Sequence, residues 1–324
     1  MQQRYNYTKS PFYKLKSKKF LAKILNVSLK ELDKIEKLSN TEESIYDIFT
    51  VGEKKREIQN PVHPLLKKVQ KRIFNLMNRL EMPEYVFSGK KGKSYISNAS
   101  VHKNSNYILT LDIEHFYAST KAEFVFQFFL HKMKMASDLA HIITNISTYK
   151  DFSTNNRKIP TGSQLSQILA YWVYSDMFNS ISKLANENQC IFSLYVDDMT
   201  FSSQLPIQRD FHKKVEEVLQ SKKLRFKRSK VRYYTKNQAK KVTGVIITQD
   251  HNIDIPNKRL KDASKSIGKA LSPTATEQEK QSVLGKINSI QQIKPNIFSG
   301  VIKQLSKNKY SYNIFSANSA ICEI

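Results

Sequence analysis

The chain has 324 residues and a formal net charge of +25, from 53 Lys and Arg against 28 Asp and Glu. That length supports two or three units with real cores, an apolar content of 40% excludes a disordered chain, and the basic surplus points to a polyanionic partner, above all nucleic acid. Two cysteines, Cys190 and Cys322, exclude a disulfide framework or a cysteine metal cluster, and the absence of an apolar spanning run or a cleavable signal fits a reducing cytoplasm and no membrane.

Residues 1–45 are rich in Lys, with Leu21, Ile24, Leu25, Leu29, Leu32 and Ile35 at helical spacing. Residues 46–62 read as a basic hairpin turning at Gly52, and a helix follows with Leu65, Leu66, Val69, Ile73, Phe74 and Met77 on one face, stopped by Pro83. Gly89 and Gly92 with Lys90, Lys91 and Lys93 make a basic loop. Tyr107–Asp112 alternates as a strand, and Thr120 with Glu123 predicts a capping box for the next helix. Ile159–Ser163 is a turn feeding one long helix, striped by Leu165, Ile168, Leu169, Trp172, Val173, Ile181 and Leu184. Two strand-like runs then meet at Tyr195-Val196-Asp197-Asp198. An amphipathic helix at 208–221, a very basic strand-like run over 224–234, a strand over 241–247 and a helical tail from 256 complete the chain. The middle is therefore mixed α and β with antiparallel hairpins, and both ends are helical.

Adjacent acids at a hairpin tip repel each other, and a divalent cation relieves that repulsion. The alternative for Asp197 and Asp198 is a solvated acidic turn. Asp112 has the same setting, an apolar strand ending in an acid, and strand ends of one sheet can converge. Three carboxylates offer the hard oxygen ligands that two Mg²⁺ ions need to activate a hydroxyl and stabilise a leaving pyrophosphate. Glu114 and His115 nearby are weaker ligand candidates.

Asp112-Ile-Glu-His-Phe116-Tyr117, then Pro160-Thr-Gly-Ser163 before a helix, then Tyr195-Val-Asp-Asp198 stand in the order found in a reverse transcriptase palm, which this chain resembles. Arg56-x-Ile-x-x-Pro61 resembles the basic fingers hairpin of that family, and Lys230 the lysine after the third palm strand. Asn98-Ala-Ser-Val-His102 and Val242-Thr243-Gly244 resemble two motifs of bacterial retron reverse transcriptases.

The resemblance implies an α/β (α+β) right-hand polymerase fold. A helical extension would span 1–45, fingers 46–106, an antiparallel-sheet palm with finger insertions 107–250, and a helical RNA-binding thumb 251–324. Asp112, Asp197 and Asp198 would be catalytic and hold Mg²⁺, or Mn²⁺ as a substitute, with the Ile113 backbone as a further ligand. Tyr117, or Phe116 in its place, would be the steric gate against a 2′-hydroxyl. Arg56 and Lys54 would grip the triphosphate of a dNTP, Thr161 and Gly162 would line the nucleotide pocket, and Lys230 would assist the departing pyrophosphate. Thr161 departs from the glutamine common at its position.

Tyr195 and Val196 would place primer and template. Asn98, His102, Val242, Thr243 and Gly244 would contact the structured RNA; a structural pair for Asn98 and His102, and a strand bulge at Gly244, are the alternatives. Lys258, Arg259, Lys261, Lys265, Lys269, Lys303, Lys307 and Lys309 suit a thumb on an A-form hybrid. The implied partners are a cognate noncoding RNA (msr-msd), its branched RNA–DNA product (msDNA), and an effector protein in phage defence. No RNase H domain is expected after the thumb, so host RNase H would remove the template. The rival readings are a diversity-generating or abortive-infection reverse transcriptase, or an idle RNA-binding scaffold.

Overall fold

The computed structural model describes residues 4–52 and 55–306. It divides into two compact units, Met1–Gln238 and Ala239–Ile324.

In the first unit, the single apolar stripe expected near the N-terminus is carried by two helices. α1 (Lys18–Leu25) stops where Asn26 turns left-handed at φ 57°, and Ser28 opens α2 (Leu29–Thr41) with a reciprocal capping box to Glu31. The basic hairpin forms as expected: β1 (Tyr46–Val51) pairs antiparallel with β2 (Arg56–Pro61), turning at Gly52 with φ +70°. α3 (Pro64–Met77) begins on a proline, whose missing N–H costs nothing there, and buries Leu66, Val69, Ile73 and Met77. Its buried face also carries Gln70, whose amide donates to the Tyr46 hydroxyl at 3.0 Å and the Ile146 carbonyl at 2.8 Å and accepts from the Ser163 hydroxyl at 2.7 Å. One buried amide thus ties together the β1–β2 hairpin, a neighbouring helix and the Pro160–Ser163 turn.

α4 (Tyr95–Ser100) is capped by Ser94 and precedes β3 (Tyr107–Asp112). α5 (Phe116–Ser119) and α6 (Ala122–Gln127) follow. The capping box expected at Thr120 does not form. Thr120 is buried and its hydroxyl donates back to the Phe116 carbonyl at 2.7 Å, closing α5, while Lys121 takes the N-cap position of α6. α7 (Ser137–Ser147) and the small hairpin β4 (Tyr149–Asp151) with β5 (Asn156–Lys158) lead to the turn. The long helix expected after it is two helices, α8 (Ser166–Val173) and α9 (Ser175–Glu187). Tyr174, with ψ 12°, breaks the helical path between them, so the apolar stripe carries on across a bend.

β6 (Ile191–Tyr195) and β7 (Asp198–Ser203) form the hairpin that carries the paired acids, and α10 (Phe211–Gln220) and β8 (Arg232–Tyr234) complete the unit. The basic run over 224–234 is not one strand, because a 3₁₀ turn at Arg228–Lys230 interrupts it before β8. The main sheet has the order β6-β7-β3-β8 and is antiparallel throughout. Register sorts its side chains by face. Leu109, Leu111, Met199, Phe201, Phe192 and Leu194 share the face in the apolar core. Asp112, Thr110, Asp198, Thr200, Ser202, Ser193 and Tyr195 share the other.

His102 closes part of that polar face. Its Nδ1 lies 2.7 Å from Ser202 Oγ and its Nε2 2.7 Å from Ser193 Oγ, and Ser105 donates to Ser202 Oγ at 2.9 Å. The ring is fully buried, which pushes its pKa down to about 3 and keeps it neutral, with one ring N–H donating to a serine and the other nitrogen accepting.

In the second unit, the strand expected over 241–247 is instead a tight hairpin of β9 (Lys240–Val242) and β10 (Val245–Ile247). Thr243 and Gly244 both have positive φ, 45° and 75°, as a two-residue turn of this kind requires, and so Gly244 is a turn residue rather than a bulge. β11 (Ile253–Asp254) adds to β10, and helices α11 (Asn257–Ala270), α12 (Glu277–Gln291) and α13 (Ser299–Ser306) follow. Ile267, Val283, Ile287 and Leu305 form one small core, and Ile255, Ala263 and Ile290 another.

His102→Leu removes a buried partner from Ser193 and Ser202 and should lower stability in urea by about 2–4 kcal/mol. His102→Gln, which keeps a donor and an acceptor, should cost less. Between pH 6.5 and 4 the unfolded chain binds a proton at His102 that the folded chain refuses, so this residue makes stability fall on acidification. Urea midpoints across that range should fall less steeply for His102→Gln than for the wild type; equal slopes would show that the buried ring is not the source.

Candidate active site

The pairing of β3 with β7 sets Asp112 directly opposite Asp198, on the same face and at the same end of the sheet. Asp197 precedes Asp198 in the turn that joins β6 to β7, and the Ile113 amide donates to its carbonyl at 3.0 Å. One carboxylate oxygen from each of Asp112, Asp197 and Asp198 lies within 4.8 Å of the other two, and this is the acidic cluster with metal-holding geometry found among the described residues.

These acids are expensive to hold ionised. Asp197 is pushed up to about 6, first by burial and then by the Asp112 charge, while Lys230 and Arg56 pull it back. Asp198 is pushed up to about 7, first by burial and then by Asp197 and Asp112. Hard oxygen donors, crowded together and short of positive charge, suit a divalent cation such as Mg²⁺.

Lys230 meets that need in part. The chain after α10 runs back against the end of β3: Ile113 bridges Phe226, and the Lys227 amide donates to the Asp112 carbonyl at 2.8 Å. The following 3₁₀ turn brings Lys230 Nζ to 2.5 Å from Asp112 Oδ2. The interruption of the basic run is therefore what delivers this lysine. Arg56, exposed at the start of β2, acts on Asp197 through its charge. Glu114 is engaged elsewhere, 2.7 Å from Arg225, and His115 is an exposed left-handed residue with φ 49°, so neither joins the cluster. Lys54 lies outside the described residues, as do Lys307 and Lys309.

The two aromatics after Asp112 part company. Phe116 is buried against Tyr174 and Phe178 and is core, which removes it as a gate. Tyr117 is half-buried beside it and remains the gate candidate. Thr161 and Gly162 sit against the hairpin. The Thr161 amide donates to Gln59 Oε1 at 3.1 Å, the Thr161 hydroxyl donates to the Glu57 carbonyl at 2.9 Å, and the Gly162 amide donates to the Gln59 carbonyl at 3.1 Å. A Cβ on Gly162 would lie 2.8 Å from that carbonyl oxygen, so glycine is needed here for close backbone approach. What these two residues visibly do is dock the turn onto β2.

The residues expected to touch RNA divide in the same way. Asn98, His102 and Val242 are buried, so the structure places them in the interior rather than at a nucleic-acid surface, and His102 bonds Ser193 and Ser202 rather than forming the expected pair with Asn98. Thr243 is half-buried, and Gly244 is exposed. Tyr195 and Val196 are half-buried at the end of the acidic hairpin. Sequence reasoning missed Gln70, Ser193, Ser202 and Ser88, all of which brace the site. The signal for Ser193 and Ser202 was their alternation with apolar residues in Ile191–Ser203.

Because Asp197 and Asp198 titrate above the ordinary carboxylate range, these two groups bind more protons in the folded chain than in the unfolded one between about pH 4 and 7, and their contribution, opposite in sign to that of His102, lowers stability as pH rises through that window. Asp198→Asn should therefore be more stable than the wild type at pH 8 without metal, by about 1–2 kcal/mol after discounting for solvent screening. Thermal unfolding with and without Mg²⁺ checks this. The metal should stabilise the wild type more than the variant, and a less stable Asp198→Asn at pH 8 would contradict the repulsion.

Residues 53–247 match the reverse transcriptase (RNA-dependent DNA polymerase) family. The chain is 26% identical over 285 residues to the retron Ec86 reverse transcriptase of Escherichia coli, a match covering 85% of each chain. It is 30% identical over 202 residues to the retron Se72 reverse transcriptase of Salmonella heidelberg (strain 579083-10), spanning 60% of this chain but only 50% of that protein. Among solved structures, telomerase from Candida albicans in complex with a TWJ fragment of telomeric RNA is similar at a TM-score of 0.45 and 12% identity, covering 82% of this chain and 57% of that one. Among the described residues no helix is long and apolar enough to cross a membrane. The matched segment contains the whole carboxylate cluster, and the chain belongs to the reverse transcriptase (RNA-dependent DNA polymerase) family, with the mixed helix and antiparallel sheet of the right-hand polymerases.

Proposed function

We propose that this chain is a retron-type reverse transcriptase that binds its own structured noncoding RNA, begins synthesis at the 2′-hydroxyl of a guanosine in that RNA, and extends it into branched RNA–DNA. The observation that carries the reading is the convergence of Asp112, Asp197 and Asp198 within 4.8 Å at one end of the sheet. Two Mg²⁺ ions held by these carboxylates, with Mn²⁺ as a substitute, would supply activation of the attacking hydroxyl and charge neutralisation at the leaving pyrophosphate.

The other roles belong to the chain. Arg56 offers a planar fork of donors to a dNTP triphosphate from the hairpin side. Lys230 would exchange its bond to Asp112 for the phosphate oxygens as pyrophosphate departs. The Tyr117 ring would press on the sugar where a 2′-hydroxyl would sit, favouring deoxynucleotides. In the second unit, Lys258, Lys261, Lys265 and Lys269 recur at three- and four-residue steps along α11 and are all exposed, an arrangement that suits the phosphates of an A-form hybrid. The same proposal extends to a cytoplasmic setting, a partner effector in phage defence and template removal by host RNase H.

Purified protein with its co-purifying RNA, Mg²⁺ and labelled dNTPs should extend that RNA, and Asp197→Ala with Asp198→Ala should reduce extension to background. Equal extension by the double variant would sink the polymerase reading. Sequencing of the bound RNA should return one enriched structured transcript; a random cellular pool would leave a reverse transcriptase without the retron assignment.

A further inference from the structure

The turn that presents the paired acids is strained. Val196 has φ +58°, while Asp197 is not among the residues with positive φ, and Tyr195 pairs with Asp198 across the turn. A positive φ at only the first of two turn residues is the pattern of a type II′ turn, where glycine is the favoured residue. A β-branched side chain in that position is a genuine outlier and persists only when its surroundings impose it.

The surroundings supply one specific contact. The Val196 amide donates to Ser88 Oγ at 2.9 Å. Ser88 is only 8% exposed and rigidly mounted. On its N-terminal side the chain runs parallel to β6: the Leu194 amide donates to the Tyr85 carbonyl at 2.8 Å, and the Phe87 amide donates to the Leu194 carbonyl at 2.9 Å. On its C-terminal side Gly89 turns left-handed at φ +64°, and Lys90 returns to pair with Glu84 at 2.7 Å. The hydroxyl is therefore fixed to the outer edge of β6 and reaches over its end to the strained residue.

We propose that Ser88 is a positioning residue for the catalytic turn, its hydroxyl holding Val196 in the left-handed conformation that aims Asp197 and Asp198 at Asp112. The inference rests on the polymerase reading for its consequence but on the turn alone for its geometry. Without the acceptor, Val196 relaxes toward an ordinary conformation and the two carboxylates leave the arrangement that the sheet register prepares for them. Ser88 touches no reacting atom; it acts through one backbone amide.

Three measurements on the full chain, wild type and Ser88→Ala, test this. Hydrogen exchange of the peptide covering Leu194–Asp198 should be faster in the variant, because the Val196 amide has lost its acceptor. Mn²⁺ binding, read by electron paramagnetic resonance, should weaken. At a temperature well below unfolding, kcat for dNTP addition should fall about three- to tenfold, the worth of one hydrogen bond, with KM for dNTP little changed. A purely structural serine would lower the melting temperature and leave all three unmoved.

Glycine reaches positive φ without strain, so in a Val196→Gly background Ser88→Ala should have a much smaller effect on kcat and Mn²⁺ affinity. Undiminished effects in that background, or unchanged exchange at the turn, would overturn the proposal. Should the wild type itself fail to extend a primer, the reading of function falls, while exchange and Mn²⁺ binding still decide the role of Ser88.

Discussion

The mutual repulsion of three carboxylates at one end of an antiparallel sheet is the constraint that organises this molecule. Asp112 and Asp198 face each other because the β3–β7 register puts them there, and Asp197 joins them because the connecting turn is too short to carry it away. Left alone, such a cluster would lower its energy by taking up a proton or by spreading, and the raised pKa values of Asp197 and Asp198 express that tendency. Spreading is resisted by rigid neighbours. The apolar face of the same strands is locked into the main core through Leu109, Leu111, Met199 and Phe201, so the backbone under the acids cannot yield without opening it.

The polar face is braced differently. Its serines cannot be satisfied by apolar packing, and the segment between Tyr85 and Ser105 supplies what they lack. His102 and Ser105 hold Ser193 and Ser202 in the body of the hairpin, and Ser88 holds the amide of Val196 at its tip. A neutral imidazole suits this place because it offers one donor and one acceptor in a fixed plane, matching a serine on each strand of the hairpin. The β1–β2 hairpin and α3 are tied in through the Pro160–Ser163 turn, where Thr161, Gly162 and Ser163 join β2 and Gln70. The motifs that are separate in sequence are one hydrogen-bonded frame around the acids.

How much of this was legible in the sequence depended on what the signal recorded. Period-two and helical spacing report burial of a face, and they placed the hairpin at Gly52, the strand ending in Asp112 and the α3 stripe. The paired acids and Asp112 were legible because charge in an apolar strand setting has few explanations. Breaks inside a continuous apolar pattern were not. Asn26, Tyr174 and the turn at Arg228–Lys230 bend the chain while burial continues on both sides, so the periodicity runs through them. Thr120 failed as a cap because its hydroxyl had a nearer carbonyl at Phe116, a local competition that spacing alone does not rank. Gln70 and Ser88 were invisible for a related reason: their partners lie far away in sequence, and a buried polar side chain looks the same as an exposed one until those partners are known.

The buried position of His102 also changes what its motif can be evidence of. A residue that a protein needs in order to hold its acidic hairpin marks the geometry of the hairpin, whatever nucleic acid the protein binds. Asn98 and Val242 are equally interior, so in the two narrower motifs the surface left to a partner is that of Val101, Thr243 and Gly244. On the proposed function, recognition of an RNA would rest in each unit on exposed basic residues: the Lys residues along α11 in the second, and Arg56 and Lys91 in the first. These are phosphate-binding groups, which fix register and supply affinity without reading bases. On the proposed function, selection of one structured RNA would follow from the shape in which the RNA presents its phosphates, and the hydrogen-bonded frame within the first unit would contribute by keeping the three acids in place.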